Sequence, residues 1–411
     1  MRGEADGLLA RIRLAPDDDG PRLIHADFLD DLGDHPRAEF IRVQLALAKL
    51  PPDDDRRPEL VRTEDRLRAR YAEEWAEPLR GLATGPVFRR GFVDEVKVTA
   101  RQFVRRAGEL FDGDPIRHVH ILDVGSSLRA VLDSPYLAKL TGLTIYGQHL
   151  GEPLARAVAE CEHLTGLRTL NLGRNEIGDG GVEHLTAAPG LAGLRELNLG
   201  GNEIGEVGGR ILAAARLHSL HRLELTGNAV GSVGADALAA SERLAAVRRL
   251  GLAGNRIGAR RLPESSRPDK LLRFEHLDAS ENHLGPAELR AVLGRDELAN
   301  VRELDLSHNP LTDDGAILLA GAAALGGLRV LRLNGGQIGD GGLRALAVSH
   351  HLARVRVLEV GNNPVGDDGV RAVIESRNLR SLRHFLYPAI GLSFRLRLAL
   401  HTRYPTPPGA G

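Results

Sequence analysis

The sequence predicts an α/β fold, a curved solenoid with parallel strands on its concave side and helices on its convex side, preceded by a small all-α segment. Three observations carry that expectation. One motif returns at fixed spacing down most of the chain, and each copy passes from an alternating pattern to a helical one. The residues ahead of the motif read as a run of amphipathic helices.

The motif is clearest at Leu167, Leu170, Leu172, Asn175 and Ile177, with apolar residues at positions 0, +3, +5 and +10 and Asn at +8. It returns from Leu194, Leu220, Val247, Phe274, Val301, Leu328 and Val355, with Asn202, Asn228, Asn255, Asn282, Asn309 and Asn363 at +8 and Gly336 in one copy. A degenerate copy starts at Leu140, with Gln148 in the Asn position. The period is 27 residues, with one step of 26 between Asn202 and Asn228.

The +2 to +6 segment alternates, so it forms a short strand with two apolar residues turned inward. The Asn is expected at the turn, where its amide satisfies backbone groups that the next strand cannot reach. Gly178, Gly205, Gly231, Gly258, Gly285, Gly339 and Gly366 follow, read as positions that need open φ/ψ space. A second glycine at +14 opens an Ala/Leu-rich helical stretch. No unit buries its apolar face alone, so the units stack. Strands stack at about 4.8 Å and helices at roughly 8–10 Å, which bends the stack with the strands inside.

In chain order, helices are expected over residues 4–14, from Pro21, over Arg37 to Leu50 and over Pro58 to Trp75. The alternating stretches Phe92 to Val98 and Ile116 to Ile121 lack the Asn and read as two worn first repeats. At the far end, Leu382 to Tyr387 starts another strand and Ile390 to Leu400 a closing helix. The expected organisation is a helical domain over 1–80, a transition and cap over 81–136, repeats over 137–381, a second cap over 382–404 and a disordered tail over 405–411.

The repeating motif resembles the leucine-rich-repeat family, and its 27-residue period with a helical second half resembles the ribonuclease-inhibitor-like subclass. Residues 5–50 resemble a short bacterial domain that accompanies such arrays, the repeat-companion domain. The likeness rests on the Pro-Asp-Asp-Asp run from Pro16, Pro21 to Leu23, Ala26 to Asp30 and Arg37 to Arg42. His25 and Phe28 stand where that domain usually has Tyr and Trp. The resemblance implies a bacterial protein and brings no assigned chemistry.

Composition narrows the function classes. A formal net charge of −1 leaves no footprint for nucleic acid or membrane. Arginine outnumbers lysine 50 to 4, read as coding bias. The lone Cys161 rules out a disulfide within the chain and reads as a buried, inert thiol. With no signal-like start and no long apolar run, the expected location is the cytoplasm. Catalytic, cofactor and metal sites are expected to be none, because the chain shows no nucleophile–base pair, phosphate loop or ligand spacing. His118 and His120 share one strand face but lack a third ligand nearby in sequence. The Asp-rich stretch Asp17 to Asp34 lacks the calcium-loop pattern and reads as helix caps and solvated faces.

The expected function is a non-enzymatic protein-protein interaction scaffold that binds a protein partner on its concave face. The outward strand positions supply the candidate residues Tyr146, Asn171, Glu196, Asn198, Arg222, Glu224, Arg249, His276, Asp278, Glu303, Asp305, Arg332 and Glu359. Their acidic lean suits a partner of basic character, and the chain is read as a monomer. Arginine recurs at +1 (Arg168, Arg195, Arg248, Arg302, Arg329, Arg356, Arg383), where pairing with acids of neighbouring repeats is expected. The Pro-bounded stretch 260–269 replaces one helix and opens the convex side. Two other readings follow from the family resemblance, a GTPase-activating-protein-like regulator of a small GTPase and a stoichiometric enzyme inhibitor of the ribonuclease-inhibitor type. The neutral, cysteine-poor chain departs from both.

Overall fold

The computed structural model describes residues 2–51, 54–258, 274–293, 298–387 and 392–404. The chain divides into two compact units, residues 1–148 with 161–171, and residues 149–160 with 172–411.

The first unit begins with α1 (Arg2–Leu14), α2 (Gly20–Asp31), α3 (His35–Lys49) and α4 (Arg57–Trp75), close to where the sequence places them. Proline stands in the first turn of α2, α3 and α4, where its missing N–H costs nothing. Asp34 Oδ1 caps α3 by accepting from Arg37 N at 3.2 Å. Ile12, Ala26, Ala38, Ile41 and Leu45 from three helices close around Phe92.

Phe92 lies on a hairpin of β1 (Thr84–Arg89) and β2 (Phe92–Thr99), antiparallel, with Arg89 opposite Phe92. The two-residue turn has positive φ at both Arg90 and Gly91, the twist a tight hairpin needs. Gly91 is also sterically required, since a Cβ there would lie 2.4 Å from Ile41 Cγ1. The Gly91 N–H donates to Gln44 Oε1 at 2.6 Å, tying the turn to α3. Next come α5 (Ala100–Asp112), opened by a Thr99/Gln102 capping box, β3 (His118–Leu122), α6 (Leu128–Leu132), β4 (Gly142–Thr144) and β5 (Thr169–Asn171). Strands β2 to β5 run parallel in chain order, and β1 lies on the outer edge of β2. β3 and most of β2 coincide with the two expected strands, whereas β1 was not foreseen.

The second unit contains α7 (Gly151–Glu160), α8 (Gly178–Ala187), β6 (Glu196–Asn198), α9 (Glu206–Ala214), β7 (Arg222–Glu224), α10 (Gly231–Ala239), β8 (Arg249–Gly251) and β9 (His276–Asp278). It continues with α11 (Pro286–Leu293), β10 (Glu303–Asp305), α12 (Thr312–Gly321), β11 (Val330–Arg332), α13 (Asp340–Val348), β12 (Val357–Glu359), α14 (Asp367–Ile374), β13 (His384–Leu386) and α15 (Phe394–Arg403). Strands β6 to β13 pair in parallel with equivalent residues in register, as Leu197, Leu223 and Leu250 do. The fold is therefore the curved α/β solenoid that the motif predicts, with α1 to α4 ahead of the strands. The inward positions are dry, as at Leu194, Leu199, Leu220, Leu225 and Val301, all fully buried. Each such side chain contributes roughly 2 kcal/mol.

The Asn column works as expected and links each repeat to its neighbour. Asn202 Nδ2 donates to Leu172 O at 3.0 Å, and its Oδ1 accepts Asn175 N at 2.9 Å and Ile177 N at 3.3 Å. Asn228, Asn255, Asn282, Asn309 and Asn363 likewise donate to the preceding repeat.

The glycine expectation needs correction. Gly178, Gly231 and Gly258 have positive φ, but Gly205, Gly339 and Gly366 lie at −94°, −98° and −102°. There the N–H donates to a carboxylate of the preceding repeat: Gly205 to Asp179 at 2.7 Å, Gly339 to Asp313 at 2.6 Å and Gly366 to Asp340 at 2.7 Å. Left-handed residues recur at +7, one before the Asn, at Arg174, Gly201, Gly227, Gly254, Glu281, His308, Gly335 and Asn362, and at +9 at Glu176, Glu203, Arg256 and Gln337. The 26-residue step coincides with a close helix contact, where a Cβ at Gly209 would lie 3.0 Å from Gly234 Cα. The expected opening at 260–269 and the tail 405–411 lie outside the described residues. The closing helix is described from Phe394.

Candidate protein-binding face

Strand register sets the site. Positions +2 and +4 point away from the buried leucines, so two parallel columns face outward in the second unit. The first runs Glu196, Arg222, Arg249, His276 and Glu303, and the second runs Asn198, Glu224, Gly251, Asp278, Asp305, Arg332 and Glu359. Tyr146, 46% exposed, and Asn171 belong to the first unit.

Eight of the expected residues come together around one depression of about 200 Å³. Arg222, Glu224, Arg249, His276, Asp278, Glu303, Asp305 and Arg332 line it, over a floor of Leu223, Leu250, Gly251 and Leu277. A side chain at position 251 would meet the Glu224 carboxylate, 2.1 Å from an ideal Cβ, so the glycine leaves that carboxylate its place in the depression.

Charge here is locally organised. Glu224 accepts from Thr226 N and Oγ1, Asp278 Oδ1 from Ser280 N at 3.0 Å and Oγ at 2.7 Å, and Asp305 Oδ1 from Ser307 N at 2.9 Å. These three +4 carboxylates are thus oriented by the residue two positions on. Burial pushes the Asp305 carboxyl above its ordinary range, and the neighbouring Asp278 adds to the rise, against bonds from Ser307 and the charge of Arg332. His276 Nδ1 lies 3.2 Å from Glu303, and Arg332 Nε lies 3.1 Å from Glu359. Asn334 also donates to Glu359 at 3.0 Å, so that carboxylate is already satisfied. Arg249 is exposed, and its guanidinium has no hydrogen bond or ion pair among the described residues. Arg222 lies 4.0 Å from Glu224, so among the described residues the face offers one open cation, Arg249, beside held carboxylates. The sequence reading missed the Ser/Thr at +6 as positioning groups, although the pairing of an acid at +4 with a hydroxyl at +6 was visible.

Other singled-out residues have local partners. Glu95, on the strand beside His118 and His120, lies 2.8 Å from His120 Nε2 and 3.8 Å from His118 Nδ1, while His118 Nε2 bonds Thr144 Oγ1 at 3.0 Å. Burial lowers the His118 pKa, with Glu95 opposing. Among the described residues no group of His, Cys, Asp and Glu is arranged to hold a metal. In the Asp-rich stretch, Asp17 pairs Arg117 at 2.8 Å, and Asp27 and Asp30 both pair Arg42 at 2.6 Å. Cys161 is half-buried rather than buried, its thiol donating to Leu132 O at 3.1 Å, and burial raises its pKa. The +1 arginines depart from expectation. Arg168 comes within 4.0 Å of Asp17 and Arg248 within 3.9 Å of Glu275, while Arg302 donates to Gly327 O. Arg195, Arg329, Arg356 and Arg383 have no acidic partner among the described residues, since their column neighbours are mostly arginines too.

A family described as Leucine Rich repeat matches residues 163–185, 194–213, 216–239, 297–320, 328–347 and 353–373. Those stretches of the chain are leucine-rich repeats. Among solved structures, 157 chains match. The yeast Rad7 and Elc1 complex aligns at 14% identity and a TM-score of 0.50, over 90% of this chain and 92% of that one, and shares the fold. An internalin of Listeria monocytogenes aligns at 19% identity over 74% and 84% of the two chains with a TM-score of 0.44. A TLR13–ssRNA13 complex aligns at 16% identity over 74% and 36% with a TM-score of 0.38. No curated protein matches the sequence. No helix among the described residues of this leucine-rich-repeat chain is long and apolar enough to cross a membrane.

Proposed function

We propose that this leucine-rich-repeat chain is a non-enzymatic protein-interaction scaffold whose partner sits on the outward strand face of the second unit. The observation that carries the reading is the depression bounded by Arg222, Arg249, His276, Asp278, Asp305 and Arg332. It is shallow, polar and alternating in charge, which suits side chains of a protein surface better than a small apolar ligand. An open Arg249 beside oriented carboxylates favours a partner with charges of both signs. This refines the basic partner that the acidic lean of the columns first suggested. Residues 1–80 serve as a companion-like helical domain, and the array is of the ribonuclease-inhibitor-like subclass and bacterial. It acts as a cytoplasmic monomer.

The test compares the intact chain with Arg222→Glu/Arg249→Glu in affinity capture from a lysate of the source organism. Both side chains are exposed, so the pair leaves the fold intact. Reversing Glu224, Asp278 or Asp305 to Arg would instead remove acceptors that hold the strand ends. A protein retained by the intact chain and lost with the variant supports the reading. Equal retention of every captured protein rejects it.

A further inference from the structure

We propose that the strand-entry edge of the last three repeats is a second interaction surface, one that takes a carboxylate-rich segment of a partner protein. It is separate from the strand face and does not depend on that reading. Backbone bonds fix the geometry: Arg356 N donates to Arg329 O at 2.7 Å and Arg383 N to Arg356 O at 2.8 Å. The three residues therefore stand at equivalent positions on adjacent strands, about 4.8 Å apart. All three are exposed, and the turns leading into β12 and β13 add exposed Arg354, Arg377 and Arg380. None of these six has a carboxylate partner among the described residues.

The opposite edge shows why this is not ordinary surface mixing. There Asp313, Asp340 and Asp367 accept from the backbone of the following repeat, at Gly339, Gly366 and Ser393. These three acids are occupied by peptide groups of the array while Arg329, Arg356 and Arg383 are left without a carboxylate among the described residues. Like charges at this spacing repel, so an anionic partner relieves strain as well as adding contacts. Guanidinium forks match carboxylates two bonds at a time. The column covers about 10 Å, the reach of three or more residues of extended chain. The turns at 348–356 and 375–383 carry no Phe, Tyr or Trp, and the rings of His350 and His351 lie against each other at 3.8 Å, which favours a polypeptide over a single-stranded nucleic acid.

Fluorescence anisotropy of the full chain with a labelled hexaglutamate peptide at low salt tests the proposal. The triple variant Arg329→Gln/Arg356→Gln/Arg383→Gln should weaken binding at least tenfold. A control of equal charge change elsewhere, Arg62→Gln/Arg101→Gln/Arg105→Gln, should leave it within twofold, and circular dichroism verifies that both variants fold. Absence of peptide binding, or equal loss in the control, overturns the proposal. Tighter binding of an oligonucleotide of matched charge assigns the edge to nucleic acid instead. A salt-sensitive dimer in sedimentation, dissolved by the triple variant, assigns it to a second copy. Arg222→Glu/Arg249→Glu should not alter hexaglutamate affinity, which keeps the two surfaces distinguishable.

Discussion

Asn282 holds Asn255 in place: its Oδ1 accepts the Asn255 N–H at 3.0 Å while its Nδ2 donates to Leu252 O, one repeat earlier, at 2.9 Å. The same Oδ1 accepts Ile257 N at 2.9 Å. One buried amide thus satisfies donors and acceptors that no strand partner reaches. Asn282→Ala leaves them unpaired in a dry site and should lower stability by about 3 kcal/mol. Urea unfolding of the two proteins measures it, and a loss under about 1 kcal/mol would mean that backbone groups re-pair.

Gly336 interrupts this column, and the Leu311 N–H turns to Asn309 O at 2.8 Å instead of to a side chain ahead. Gly336→Asn should restore the link and raise stability by about 1 kcal/mol. The fit is close, because a Cβ there meets Leu333 O at 3.2 Å and Ile338 Cδ1 at 3.3 Å. A lower urea midpoint would show that this contact outweighs the new bonds.

Asp305 should trade stability against recognition. Its folded pKa is raised, so its contribution is most favourable at low pH and declines as the carboxyl ionises. Asp305→Asn should therefore be the more stable protein at neutral pH, with the difference closing as pH falls below the carboxylate range. The same variant should bind a captured partner less well. A variant no more stable at pH 7 would contradict the burial argument.

In the first unit, burial pushes the Asp114 carboxyl up to about 6, against the pull of Arg37. The sign is the same: its favourable contribution is complete below about 4 and is lost as pH rises through about 6. Asp114→Asn should gain on the parent across that window and hold a constant advantage of up to about 3 kcal/mol above it. Thermal melts at pH 4, 5, 6 and 7 decide the matter, and parallel curves would refute it.

The strands and their outward columns were legible because both follow from a period of two riding on a period of 27. Asn202 and its equivalents could be read because one residue type answers one geometric need. Strand β1 was not, since Thr84 to Arg89 pairs antiparallel and repeats nothing. Glu95 was missed as the partner of His118 and His120 because parallel pairing brings together residues 23 apart in sequence. Arginine pairing failed as an expectation for a related reason, that the column places like beside like. Asp179, Asp313 and Asp340 stand in the first turns of helices, and only the structure reveals the glycine N–H of the next repeat at their oxygens.

The contact between Gly209 and Gly234 has a consequence for the angle turned at each step. That angle depends on how much farther apart neighbouring helices lie than neighbouring strands. Facing glycines at 209 and 234 let α9 and α10 come closer than alanines would allow, which by that relation lessens the turn between β6 and β7. Arg222, which lines the depression, stands on β7 at the end of that step. A substitution as small as Gly209→Ala would tighten the curve there and narrow the approach to the depression from that side.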